Sequence, residues 1–254
     1  MKNNKKVLKA IDFDFRTGVF ATSGTGKTVT SAYILGRATH PVVFFDYKDD
    51  LTSMPIKNAT DKRIQKIISK PFNLVNESAL NSKKNIQKLF RMQIENKKQG
   101  NNLHFAIRGR ALDDLELTQT RLARLIDVYL KGLYQIRDQY KTTMPIIIAV
   151  DEADEMFPQL GSSECKDEMK RLLSKGRSVG AIGWVITQRT AELHNTAIGN
   201  TNQALVMWQR KNDADATADK YENVDKLAFD MDKDRHRFYV SQYDKWSKPL
   251  SLKF

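Results

Sequence analysis

Residues 21–28 of the chain have the sequence Ala21-Thr22-Ser23-Gly24-Thr25-Gly26-Lys27-Thr28. A short apolar run, 18–20, precedes them, and a segment of helix-forming composition, 29–37, follows them. A strand, a glycine-bearing turn that ends in Gly-Lys-Thr and a helix form the local structure that cradles phosphate groups. The consensus for such a loop has glycine at the position of Ala21, so the chain departs from it by one methyl group.

The chemistry expected of this loop, a P-loop, follows from its backbone. N–H groups of the turn and of the helix N-terminus point at the phosphates, and the helix dipole favours their negative charge. We expect Gly24 and Gly26 to adopt positive φ and residues 22–28 to contact the nucleotide. Lys27 would reach the β- and γ-phosphates, and the Thr28 hydroxyl would bind Mg²⁺. The sequence therefore predicts a site for a nucleoside triphosphate with Mg²⁺.

A second motif lies far downstream, where the apolar, β-branched run 144–150 ends in Asp151-Glu152. Such a run is typical of a central parallel strand that is buried on both faces. Open α/β sheets bind their ligands at the carboxyl ends of the strands. We expect Asp151 to bind Mg²⁺ through its water shell and Glu152 to orient the attacking water. The acidic residues 151–155 would also suit a helix N-terminus, a role that is compatible with catalysis.

Strands alternate with helices along the chain, which predicts an α/β fold with a mostly parallel central sheet flanked by helices. The length of 254 residues suits a single domain, 1–254. We predict an entry strand at 7–15 and a terminal hairpin at about 235–254. The other predicted strands are 41–46, 103–107, 144–150, 182–187 and 204–208, and the predicted helices are 58–70, 78–99, 113–140, 166–174 and 213–221.

The amino-acid composition limits the classes of protein to which the chain can belong. The hydrophobic content of 41% and the charged content of 28% are ordinary for a soluble globular chain. No apolar run approaches the roughly 20 residues of a membrane span and no signal peptide is evident, so we expect no membrane span and a cytoplasmic location. The single cysteine, Cys165, excludes an internal disulfide, and one cysteine with four histidines gives no zinc constellation.

The net charge of +12 is unevenly distributed. Residues 57–100 contain eleven lysines and arginines against three acids, a local excess of eight positive charges. We therefore predict a basic helical insertion at about 57–100. A basic patch attracts a nucleic-acid backbone through counterion release. A solvated face in a lysine-rich protein is the alternative interpretation, because basicity alone does not establish nucleic-acid binding.

The segment Lys175-Gly176-Arg177-Ser178-Val179-Gly180 precedes a predicted strand that ends in Thr187-Gln188-Arg189. Together with the two motifs above and with Asp46-Tyr47-Lys48 after the second strand, this order resembles the FtsK/HerA superfamily of DNA-pumping motors. The resemblance covers roughly residues 7–245. It implies a RecA/ASCE-like P-loop NTPase fold and Mg²⁺-dependent hydrolysis of ATP.

The resemblance also implies roles for individual residues. Gln188 would be the sensor that reads the γ-phosphate from the neighbouring strand. Motors of this superfamily are ring hexamers that hydrolyse ATP at subunit interfaces, which implies an arginine supplied in trans. Arg177 is the first candidate because it matches the superfamily's arginine before the sensor strand, and Arg210 is the second.

The leading functional hypothesis is an ATP-driven translocase that moves double-stranded DNA in genome packaging or transfer, with Lys83, Lys84 and Lys88 contacting the DNA backbone. About twenty residues precede the P-loop, so we expect a minimal motor domain that resembles the packaging ATPases of viruses and mobile elements. The expected partners are duplex DNA, further copies in a ring, most simply a hexamer, and a viral portal or capsid or a nuclease. A viral or plasmid-borne protein would work in the host cytoplasm.

Two alternatives stay open. The first is a HerA-type ATPase that partners a nuclease in DNA-end processing. The second is a virion-assembly or secretion ATPase that does not bind DNA.

Overall fold

The computed structural model describes residues 2–49, 51, 59–109, 114–221, 224, 227, 236–242 and 245–253. The strands are β1 (Thr17–Phe20), β2 (Val42–Asp46), β3 (Phe72–Val75), β4 (His104–Arg108), β5 (Ile146–Val150), β6 (Ala181–Thr187), β7 (Gln203–Val206), β8 (Arg237–Gln242), β9 (Lys245–Trp246) and β10 (Leu250–Ser251). The helices are α1 (Lys2–Lys9), α2 (Lys27–Leu35), α3 (Ala59–Ser69), α4 (Lys83–Lys98), α5 (Leu115–Tyr140), α6 (Ala153–Met156), α7 (Lys166–Lys175), α8 (Asn195–Asn200) and α9 (Lys211–Ala218).

One sheet joins these strands in the order β10-β8-β7-β1-β6-β5-β2-β4-β3. All pairs from β7 to β3 along this order are parallel, whereas β8 runs antiparallel to β7, β9 and β10. The predicted α/β fold with a mostly parallel central sheet is therefore confirmed. β6 lies between β1 and β5, so the end of β6 separates the P-loop from the acidic motif.

The central strands are buried along their whole length because helices cover both faces of the sheet. Helices α1, α2 and α3 pack on one face, and α4, α5, α7 and α8 pack on the other. Burial on two faces explains why these strands are continuous apolar runs in the sequence. In parallel units the helices return antiparallel to the strands, so the helix N-termini and the carboxyl ends of the strands meet at one edge of the sheet.

The predicted entry strand at 7–15 is wrong. Residues Lys2–Lys9 form helix α1, and the chain then turns before β1. The alternating apolar pattern arises because Phe13 and its neighbours pack beneath the sheet from an irregular segment, with Phe13 stacked on Trp184 at a centroid distance of 6.2 Å. Burial of alternate side chains therefore does not require strand geometry.

The segment 57–100 also differs from the prediction. The predicted helix at 78–99 is divided into a 3₁₀ turn, Glu77–Asn81, and α4. The segment further supplies β3, the edge strand, which was not predicted because only Phe72 of its four residues is buried. Residues 57 and 58 of this segment, residue 113 of the predicted helix, and residues 235, 243, 244 and 254 of the predicted tail lie outside the described residues.

The remaining predicted strands and helices are present, with bounds that shift by a few residues. In the tail, Leu250 of β10 pairs with Phe238 of β8. No helix in the described part of the chain has both the length and the apolar composition that crossing a bilayer requires.

Candidate active site

The loop between β1 and α2 has the backbone geometry of a phosphate cradle. Gly24 has φ 85° and Gly26 has φ 86°, which confirms the predicted positive φ at both positions. A Cβ added at Gly24 would meet no atom within 4 Å, so the demand for glycine there is conformational. A Cβ added at Gly26 would lie 2.3 Å from the Nδ1 atom of His236, so any side chain at position 26 would also clash with His236.

Neighbouring strands hold the loop in place. The backbone N–H of Ala21 donates to the carbonyl of Thr187 at 3.2 Å, and that of Thr22 donates to the carbonyl of Trp208 at 2.9 Å. The backbone N–H of Arg210 donates to the Thr22 hydroxyl at 3.1 Å. A cavity of about 380 Å³ opens beside the loop and is lined by Thr22, Ser23, Gly24, Thr25, Trp208 and Arg210.

The Lys27 ammonium joins the P-loop to the acidic motif. Its Nζ lies 3.0 Å from Oδ1 of Asp151 and 3.1 Å from Oε1 of Glu152, and all three side chains are at most 5% exposed. Burial disfavours the charged lysine, but the two carboxylates outweigh it and raise the pKa of Lys27 above its ordinary value. The structure thus brings together the two motifs that lie more than 120 residues apart in the sequence.

Three side chains donate to the same oxygen of Glu152. Besides Lys27, Lys48 Nζ lies 2.8 Å from Oε1, and Gln188 Nε2 donates to it as well. Burial acts to raise the pKa of Glu152, but Lys27, then Lys48 and Gln188, lower it below the ordinary value. The residue has φ 48°, so the backbone at the start of α6 is left-handed. An ionised carboxylate is therefore held at the carboxyl end of β5.

Sequence reasoning assigned no role to Lys48. A signal was present, because Tyr47-Lys48 directly follows the second buried strand and belongs to the segment on which the resemblance to the FtsK/HerA superfamily rests. What the sequence did not show is that β2 is the neighbour of β5 in the sheet. That adjacency is what brings Lys48 to Glu152.

Asp154 lies just behind this cluster. It is 5% exposed, and the Thr187 hydroxyl donates to its Oδ1. Burial raises the pKa of Asp154 to about 6, and the charge of Glu152 adds to the effect. The ionised form of Asp154 is therefore a cost to the folded state at neutral pH.

The two candidate arginines lie at opposite edges of the sheet. Arg210 is exposed and stands beside the P-loop of its own chain. Arg177 is exposed in the turn that precedes β6, whereas Gln188 follows the last residue of that strand. Seven strand residues separate the two edges by roughly 20 Å at about 3.3 Å per residue. Arg177 is therefore too far from the P-loop of its own chain to contact it.

The predicted DNA-binding lysines are on the exposed side of α4. Lys83 and Lys84 begin that helix, which follows the carboxyl end of β3, and Lys88 lies just over one turn further on. These lysines lie on the side of the sheet where the parallel strands have their carboxyl ends, which is also the side of the P-loop. The strand order places five strand spacings between β3 and β1, roughly 24 Å at about 4.8 Å each. The structure does not bring the lysines into the nucleotide site.

The residues at this edge fit a nucleotide with Mg²⁺. Two positive-φ glycines and the N-terminus of α2 provide backbone donors, and the buried Lys27 provides a cation for phosphates. Thr28 lies in the first turn of α2, and the Asp151 carboxylate lies within reach of the same lysine. A hydroxyl and a carboxylate are oxygen ligands of the kind that Mg²⁺ takes in phosphate sites.

Comparisons with known proteins agree with this fold. Protein-family models and curated protein sequences give no match. Among solved structures, the chain is similar to the genome packaging NTPase B204 from Sulfolobus turreted icosahedral virus 2 in complex with ATP-gammaS. The TM-score is 0.61 at 12% identity, over 96% of this chain and 100% of that chain.

Two further solved structures are similar. The DNA-packaging ATPase B204 from Sulfolobus Turreted Icosahedral Virus gives a TM-score of 0.56 at 13% identity, over 95% of this chain and 98% of that one. VirB4 of Thermoanaerobacter pseudethanolicus gives 0.56 at 10% identity, over 96% and 93%. The fold implied by the resemblance to the FtsK/HerA superfamily is thus confirmed.

The raised pKa of Asp154 predicts a stability change with pH. Between the unfolded pKa of about 3.9 and the folded value of about 6, the folded state binds more protons, so stability falls as pH rises. Asp154→Asn keeps an acceptor for Thr187 and removes the charge. We compare the free energy of unfolding of the variant with that of the natural chain at about pH 4 and about pH 7.5. The difference in favour of the variant should be about 2–3 kcal/mol larger at the higher pH.

Urea unfolding at the two pH values measures this gain. Asp138→Asn is the control, because it makes the same change at an aspartate whose side chain is 66% exposed. A gain for Asp154→Asn that is independent of pH would contradict the raised pKa.

Proposed function

We propose that this chain is an Mg²⁺-dependent ATPase motor of the FtsK/HerA type that moves duplex DNA. The observation that carries the proposal is the buried contact of Lys27 with Asp151 and Glu152, with Gln188 donating to Glu152 from the end of β6. These groups follow three adjacent parallel strands, β1, β5 and β6, and lie at the carboxyl ends of those strands. The similarity to packaging ATPases in fold supports the proposal.

In the proposed mechanism, the P-loop amides and the N-terminus of α2 bind the triphosphate. Lys27 exchanges its two carboxylate partners for phosphate oxygens, so that its buried charge stays compensated. Thr28 and Asp151 would hold Mg²⁺, which would supply positive charge to neutralise the phosphates. Glu152, released by Lys27, orients the attacking water, and Gln188 contacts both Glu152 and the γ-phosphate side of the site.

The first prediction separates nucleotide binding from hydrolysis. Lys27→Ala should abolish ATP binding, because the loop loses its phosphate cation. Glu152→Gln should bind ATP but lower turnover at least about a hundredfold, the lower range for a group that directs proton transfer. Equilibrium binding of ATP and steady-state phosphate release measure the two effects.

A matched control is Glu155→Gln, the same change one helical turn further on, which should hydrolyse ATP like the natural chain. Hydrolysis by Glu152→Gln at the natural rate would show that another group orients the water.

DNA translocation is the favoured form of this activity because two of the similar folds belong to genome- or DNA-packaging proteins. The basic N-terminal turns of α4 lie on the side of the sheet that carries the P-loop. A translocase contacts the phosphate backbone, so no base specificity is expected. A HerA-type partner of a nuclease remains the alternative that also binds DNA, and an assembly or secretion ATPase is the one that does not.

The second prediction concerns DNA. Duplex DNA should stimulate hydrolysis, and the stimulation should decline steeply with salt. Replacing Lys83, Lys84 and Lys88 with glutamate should weaken binding and reduce the slope of log K against log salt by about 3, or about 0.9 for each lost phosphate contact. Binding isotherms at several salt concentrations measure the slope.

The control triple variant replaces Lys62, Lys66 and Lys70 with glutamate. It makes the same change in net charge on the opposite face of the sheet. Equal slopes for both triple variants would assign α4 to a solvated surface. No stimulation at any ionic strength would favour the assembly alternative.

The third prediction concerns a ring. A closed ring uses a heterologous interface, in which one surface of each copy meets a different surface of the next. Arg177 would then complete the neighbour's site. Arg177→Ala should bind ATP normally and hydrolyse it at least about a hundredfold more slowly, below the 10³–10⁵ scale of arginine fingers. Turnover per chain and mass by light scattering measure activity and assembly.

Mixing provides the sharper comparison. Arg177→Ala keeps its P-loop and Lys27→Ala keeps its arginine, so mixed rings should contain some complete sites and regain activity. Lys175→Ala, an exposed change beside the same turn, should be neutral. Arg210 is the trans arginine if Arg210→Ala loses turnover and regains it on mixing with Lys27→Ala, whereas Arg177→Ala does not.

A further inference from the structure

The turn after β2 places a lysine against the catalytic candidate. Lys48 Nζ lies 2.8 Å from Oε1 of Glu152, and the two side chains are 43% and 4% exposed. The ammonium group thus reaches a buried carboxylate from the surface. This contact joins the carboxyl ends of two adjacent strands, β2 and β5.

Two hydrogen bonds and an ion pair hold the residues that flank Tyr47 and Lys48 in that turn. Asp46 accepts the backbone N–H of Leu51 on Oδ2 at 3.0 Å and that of Gly109 on its carbonyl at 3.1 Å. Asp49 has φ 60°, a left-handed conformation that costs an aspartate free energy. Its Oδ1 lies 2.9 Å from Nε of Arg108 on β4. These contacts hold the backbone on both sides of Lys48, whose ammonium group reaches Glu152.

The charges around Glu152 balance only with this lysine. Lys27 and Lys48 face Asp151 and Glu152, two cations against two carboxylates. When Lys27 turns to the phosphates, as the proposed function requires, Glu152 loses one of its donors. Lys48 and Gln188 then remain on the same oxygen.

We propose that Lys48 is a positioning residue, which holds the Glu152 carboxylate in its catalytic orientation while Lys27 binds the triphosphate. The inference rests on the proposed function and extends the machinery to a residue outside both nucleotide motifs. Lys48 acts through Glu152 and contacts no phosphate. It therefore contributes to turnover and not to nucleotide affinity.

A kinetic experiment tests this separation. Lys48→Met should lower kcat at least about tenfold and leave KM and the Kd of ATP-gammaS within about twofold, the signature of a contact that matters only in the reacting state. Lys48→Arg keeps a cation on a long side chain and should restore most of the lost turnover. Lys131→Met is the matched control, because it removes another exposed lysine 2.8 Å from a carboxylate and should leave kcat unchanged.

A second measurement needs no nucleotide. In a double-mutant cycle of Lys48→Met and Glu152→Gln, the shift in the urea midpoint of the double variant should be smaller than the sum of the single shifts. Additive shifts would overturn the pairing itself. Lys48→Met with natural kcat, or with a loss confined to KM and nucleotide affinity, would overturn the positioning role.

The failure of the proposed function is distinguishable from these outcomes. If the natural chain binds ATP-gammaS but does not hydrolyse ATP under any condition, the ATPase proposal fails and the positioning role fails with it. Coupling in the nucleotide-free cycle would then still establish the pair as a structural contact. Unchanged turnover of Lys48→Met in an active ATPase overturns only the role of Lys48.

Discussion

The arrangement of the site depends on one buried ammonium group. The Lys27 side chain is only 5% exposed, so its charge requires ionised partners within contact distance. Asp151 and Glu152 supply them at 3.0 and 3.1 Å, which fixes the P-loop relative to β5. A triphosphate can take over the same role because it presents negative charge to the same lysine. The contact that compensates the buried charge of Lys27 is thus also the one that nucleotide binding would exchange.

The sheet order determines which groups share this neighbourhood. β6 lies between the P-loop strand and the acidic strand, so Gln188 reaches Glu152 from one side. β2 lies on the other side of β5, so Lys48 reaches the same oxygen from there. Parallel strands bring all these residues to one edge. A different order of the same strands would keep every motif and lose the cluster.

The same geometry sets how far each candidate arginine lies from the P-loop of its own chain. Arg210 follows β7 and lies beside the P-loop of its own chain. Arg177 precedes β6 and lies at the opposite ends of the strands. The lysines of α4 share the nucleotide edge but are displaced sideways by five strand spacings. The surfaces proposed to bind DNA or a second copy would therefore lie apart from the P-loop.

The sequence by itself predicted the features that are local. Positive φ at Gly24 and Gly26 follows from a short motif, and the buried strand before Asp151 follows from a continuous apolar run, because each depends on neighbours along the chain. The helix at Lys2–Lys9, the edge strand at Phe72–Val75 and the contact of Lys48 with Glu152 were missed. Alternating burial in an irregular segment resembles a strand, and an edge strand that is half exposed has no apolar run to identify it. The partner of Lys48 was decided only by the tertiary structure, because strand adjacency arises from packing between segments about 100 residues apart in the chain.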